Sequence, residues 1–166
     1  MRVLLLYETR RGFTLTVARA IRDAIRERGH DATAAPIQAV DVGTVAAADA
    51  LVVGSWTRGW ILAKVGPAEG ALRGIAELPS IAGRPAAVFC TCDVAPRGTL
   101  DVLTGRLQRK GARVLVAHAF KRRKSLAQVP PYADLVLGEF TSALAAPATP
   151  TPSLGGRSVD PSPTGV

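Results

Sequence analysis

Short apolar runs at residues 3–6, 50–53, 86–90 and 114–117, with a weaker one at 30–35, alternate with longer segments of helical periodicity. That alternation constrains the fold more than any single motif. Val3-Leu4-Leu5-Leu6 has the length and uniform apolar character of a strand buried on both faces. Behind it, over residues 15–28, Val17, Ile21, Ala24 and Ile25 recur at helical spacing with Arg19, Arg22, Asp23 and Arg26 opposite, and Gly29 suits a left-handed helix end. The scheme then repeats. A short helix is expected within 40–48, and another begins near Pro67 and is stopped by Pro79. A third is capped by Thr99, buries Leu100, Leu103 and Leu107, and closes at Gly111. A last one follows Pro130-Pro131, with Ala133, Val136, Leu137, Phe140 and Leu144 on one face. Five strands separated by helices define an α/β fold, an open parallel sheet with helices on both faces, and the weak strand at 30–35 belongs at its edge.

With 166 residues, 48% of them hydrophobic, the chain can bury a core without disulfides or metal. One domain, 1–146, is expected, followed at 147–166 by a disordered tail rich in Pro, Ser and Thr that lacks the apolar surface to offset its ordering entropy. The apolar runs are too short to span a bilayer and the N-terminus does not read as a signal peptide, so a cytoplasmic, non-transmembrane protein is expected. Cys90 and Cys92 fall on one face of a strand, too far apart for a relaxed disulfide, and read as free thiols. Only His30 and His118 could join them, too few ligands for zinc, so no metal is expected. His118 sits on a strand, in a packed or solvent-facing role. The net charge of +8 permits anionic partners without choosing among them. Lys121-Arg122-Arg123-Lys124 reads as a solvated loop. Without interleaved aromatics or a zinc-finger or RNP-like motif, nucleic acid is not expected, and an anionic membrane is no better favoured.

Sheets of this kind bind ligands outside the carboxyl ends of their strands, where the strand order reverses. Three connections there have distinctive content, at residues 8–13, 55–59 and 91–96. The first is a polar turn between strand and helix, the arrangement that points free N–H groups at an anion. It holds a single glycine, Gly12, which excludes the G-x-G-x-x-G turn of dinucleotide-binding units.

Over residues 2–144 these connections resemble those of the flavodoxin family. Thr9-Arg10-Arg11-Gly12-Phe13-Thr14 is similar to the family's phosphate loop, approximately Ser/Thr-x-Thr-Gly-x-Thr, with Arg11 in place of a hydroxyl residue and Phe13 where Asn is frequent. Gly54-Ser55-Trp56-Thr57-Arg58-Gly59-Trp60 resembles the loop that lies against one face of the flavin, with Trp56 or Trp60 as the stacking ring. Phe89-Cys90-Thr91-Cys92-Asp93 resembles the segment at the flavin's pyrimidine end, although no stacking Tyr follows it. Its N–H groups would meet ring carbonyls and Asp93 would orient the loop or accept a bond from a ring N–H, while Cys90 and Cys92 read as structural thiols rather than a redox pair. The resemblance implies a five-stranded sheet in the order 2-1-3-4-5 and flavin mononucleotide (FMN) as cofactor. It also implies electron transfer to a redox partner protein or reduction of a quinone-like acceptor, with no essential acid, base or nucleophile. Whether such a protein is an enzyme or a carrier, and its oligomeric state, stay open. The alternative is a flavodoxin-fold interaction module that has lost its flavin.

Overall fold

The computed structural model describes residues 1–58, 66–96, 98–122 and 126–146. Along them run β1 (Arg2–Tyr7), α1 (Phe13–Glu27), β2 (Asp31–Pro36), α2 (Val42–Ala47), β3 (Ala50–Arg58), β4 (Gly66–Pro67), α3 (Glu69–Glu77), β5 (Pro85–Cys92), α4 (Thr99–Arg109), β6 (Arg113–Lys121) and α5 (Val129–Ala145). The parallel strands lie in the order β2-β1-β3-β5-β6. Leaving out β4, this is the 2-1-3-4-5 arrangement, with β2 at an edge as expected. The segment 147–166, expected to be disordered, lies outside the described residues.

Alternation along the strands builds two cores. Val3, Leu5, Val52, Ala87 and Phe89 face Val17, Ile21 and Ile25 of α1 and Val136 and Phe140 of α5. Leu4, Leu6, Leu51, Val53 and Val88 face Ile75 of α3 and Leu103 and Leu107 of α4. Every residue of β5, the strand covered on both faces, is buried. A bidentate pair from Arg28 to Asp134, with N–O distances of 2.5 and 3.0 Å, joins the end of α1 to α5.

Several local expectations change. β3 continues through Arg58 because β4 folds back on it antiparallel, pairing Thr57 with Pro67 and Arg58 with Gly66. Residues 55–58 are therefore strand rather than loop, and Pro67 lies in a strand instead of the first turn of α3. The buried Ser55 hydroxyl fastens this return, accepting the Ala68 N–H at 3.0 Å and donating to the Trp56 carbonyl at 3.1 Å. β5 likewise carries Thr91 and Cys92 as strand, paired with Phe120 and Lys121. Thr99 does not cap α4. Gly98, at φ 78°, occupies that position, and the Thr99 hydroxyl is buried without a partner. Pro130 and Pro131 sit in the first turn of α5, where their missing N–H groups cost nothing, and Leu144 is exposed because burial along that helix ends at Phe140. Gly29 and Gly111, at φ 80° and 90°, end their helices as expected.

Gly54 pairs with Phe89 in the centre of the sheet, and a Cβ at position 54 would overlap the Phe89 ring. That ring is fully buried and packs edge-on against Phe120 at 5.8 Å, so it cannot step aside. Gly54→Ala is expected to cost about 3 kcal/mol, the upper end for overpacking, read as a lower urea midpoint with an unchanged slope.

The same core makes stability pH-dependent. Burial pushes the Cys90 thiol up to about 12, the nearby Thr57 hydroxyl only partly opposing it, and full burial holds the Tyr132 phenol well above its usual value. In the unfolded chain these groups ionise near about 8.5 and 10, at lower pH than in the fold. Their contribution is therefore complete below about pH 8.5 and is lost as the pH rises above it. The urea midpoint should fall between about pH 7 and about pH 10.5, and by less in Cys90→Ala, which removes one of the buried acids.

Candidate functional site

The strand order reverses at β1, which pairs with β2 on one side and β3 on the other. Tyr7, its last residue, is in register with Gly54, and the next amide, Glu8 N–H, still donates to the Gly54 carbonyl at 2.9 Å. Beyond that point the chain leaves the sheet and turns into α1. Gly12 takes φ 81° at the N-terminal boundary of the helix, a left-handed conformation that a side chain would strain. Its N–H donates to the Thr9 hydroxyl at 3.1 Å, and its carbonyl accepts the Thr16 N–H at 2.9 Å. The helix therefore starts with the N–H groups of Phe13, Thr14 and Leu15 ahead of its first internal bonds, at the positive end of its dipole.

A cavity of about 340 Å³ opens at this edge, lined by Thr9, Arg10, Arg11, Phe13 and Thr14 from the first turn, by Trp56, Thr57 and Arg58 from β3, and by Thr91, Cys92, Asp93 and Arg122. Its size lies within the range of about 300–1,000 Å³ usual for small-molecule sites. The first and third walls are clasped by a buried 2.8 Å hydrogen bond between the Thr14 and Thr91 hydroxyls. Gly12 supports the first wall without lining the cavity, and Ser55 is turned inward to hold β4. Gly59 and Trp60 lie outside the described residues.

Trp56 Nε1 and Thr57 Oγ1 are buried away from the cavity surface with no hydrogen-bond partner among the described residues. Four arginines line the cavity against one carboxylate, Asp93. Arg58 is paired with Glu69 at 2.6 Å, whereas Arg10 and Arg11 have no carboxylate partner among the described residues. The Arg10 guanidinium lies over Trp56 at 5.7 Å, and that of Arg122 over Phe13 at 5.3 Å. Cys92 reaches the lining, and burial raises its thiol above the usual value, which keeps it protonated and a poor nucleophile. His118, away from the cavity, packs between Phe120 at 4.6 Å and Tyr132 at 5.4 Å, and burial lowers its pKa.

Arg122 is the lining residue that sequence reasoning overlooked. Within Lys121-Arg122-Arg123-Lys124 it is one cation among several, and only the extension of β6 to Lys121 carries it to the cavity rim, where its N–H donates to the Cys92 carbonyl at 3.2 Å. Arg123 and Lys124 lie outside the described residues.

No protein-family model and no curated protein matches the chain. Solved structures do. The flavodoxin of Megasphaera elsdenii aligns with a TM-score of 0.66 at 18% identity, over 79% of this chain and 97% of its own. Flavodoxin 1 of Bacillus cereus aligns at 0.67 and 19% identity, over 83% and 98%. The rubredoxin oxygen:oxidoreductase of Desulfovibrio gigas aligns at 0.70 and 17% identity, over 87% of this chain but 37% of that longer one. Among the described residues no helix is long and apolar enough to cross a membrane. The element order, the strand order with its reversal at β1, and these matches along nearly the whole length of two flavodoxins together establish that this chain has the flavodoxin-like fold.

Proposed function

We propose that the chain binds FMN in the carboxyl-edge cavity and passes electrons to a redox partner protein or a quinone-like acceptor. The observation that carries this reading is convergence. Three segments far apart in the chain, each singled out for phosphate or flavin contacts, line one cavity. The surplus of arginines over carboxylates on the lining supports it, since such a surplus suits a phosphate. So do the neighbours: the Megasphaera flavodoxin is described as two-electron reduced and the Bacillus protein as oxidised.

FMN, when bound, supplies the redox chemistry. The chain's own residues bind and orient it. Gly12 opens the first N–H groups of α1 toward the phosphate, with Thr9 holding the turn and Arg10 and Arg11 adding charge. Trp56 offers an aromatic face, and Thr57 and the Thr91–Asp93 segment offer polar atoms to the ring edge. Thr14 positions the phosphate loop through its bond to Thr91. Arg58, fixed by Glu69, closes the rim.

A second reading, a flavin-free interaction module, is favoured by one observation: guanidinium groups already cover the faces of Trp56 and Phe13. FMN titration separates the two. Saturable binding, seen in visible absorbance and in quenching of tryptophan fluorescence, is expected, and a protein that ignores FMN is the interaction module. Arg11→Ala should weaken FMN binding about tenfold or more, the worth of a charge-assisted hydrogen bond. Thr14→Ala should lower stability by about 1 kcal/mol through loss of the Thr91 bond, and weaken FMN binding several-fold.

A further inference from the structure

Position 13 opens the helix at the phosphate loop, and Phe13 brings no polar atom there. It brings a platform. Its ring, half-buried against the α1 and α5 core, carries the Arg122 guanidinium at 5.3 Å, and both residues line the same cavity as Thr9, Arg10, Arg11 and Thr14. The charge of Arg122 is barely neutralised within the protein, because Asp93 is 3.9 Å away and four-fifths exposed. Its backbone is held by the N–H bond to the Cys92 carbonyl, so the side chain starts from a defined point on the rim. A planar guanidinium resting on an aromatic face keeps its edge N–H groups free for an oxyanion, which an ammonium on a flexible stem does less well.

We infer that Arg122, carried on the Phe13 ring, is a phosphate-binding residue of this site and replaces the donor that Phe13 lacks. The inference rests on the FMN reading and adds a residue to it. The ligand feature that Arg122 recognises is the phosphomonoester, so it separates FMN from riboflavin, which has the same ring system and no phosphate. Arg122 and Phe13 act as one unit, the ring serving only through the cation it supports.

The test is titration of the wild type, Arg122→Ala, Arg122→Lys, Phe13→Leu and the Arg122→Ala/Phe13→Leu pair with FMN and with riboflavin. Arg122→Ala should weaken FMN binding about tenfold or more and change riboflavin binding by less than about twofold. Arg122→Lys should fall between wild type and Ala, and the double variant should be no weaker than Arg122→Ala alone. Unchanged FMN affinity in Arg122→Ala overturns the inference. Equal loss for FMN and riboflavin also overturns it, because the contact is then to the ring. Independently, inorganic phosphate should raise the melting temperature of the wild type more than chloride does at equal ionic strength, and Arg122→Ala should lose that difference. A wild type that ignores FMN but gains this protection retains the anion site and refutes the FMN reading alone. A wild type that shows neither refutes both.

Discussion

β1 pairs in parallel with β2 along six residues and with β3 along five, and the rest of the site depends on that double pairing. Parallel strands bring their carboxyl ends to one edge, and the two connections leaving β1 and β3 there belong to opposite directions of the sheet. The crevice between them is a geometric consequence of topology rather than of any one side chain. What the side chains add is closure. The Thr14–Thr91 hydroxyl pair, 77 residues apart in sequence, holds the first turn against the end of β5, one buried hydroxyl donating to the other.

Charge gives the cavity its chemical character. Four arginines line it against one carboxylate. Exposed ion pairs are worth little, and Arg10 and Arg122 are instead steadied on aromatic faces, which fixes position without neutralising charge. Such a rim suits a dianionic group and differs from a surface on which cations and carboxylates cancel.

Much of the site was legible locally because its chemistry is local. Gly12 between flanking threonines signals a turn that needs left-handed backbone, and Trp56, Thr91 and Asp93 lie at the ends of strands that the apolar runs 50–53 and 86–90 announce. The differences share a cause. The immediate neighbours of Ser55, Pro67 and Thr99 point to a loop, a helix start and a cap, but Ser55 is turned inward by β4, Pro67 pairs with Thr57, and Gly98 takes the cap position before Thr99. In each case a partner outside the local window prevailed over propensity. Arg122 was hidden for the same reason, since nothing near it in sequence distinguishes it from the cations beside it.

The sequence by itself determined the parallel α/β class, the strands that form it, and the turn that frees the first N–H groups of α1. Hydrophobic period and backbone stereochemistry are properties of a few consecutive residues, and they survive without knowledge of the fold. Only the tertiary structure decided which side chains face the cavity: Ser55 withdrawn, Thr14 joined to Thr91, and Arg122 laid on Phe13. Those pairings span from 13 to 109 positions of chain. Strand register and helix docking set them, and both are fixed by the packing of the whole core.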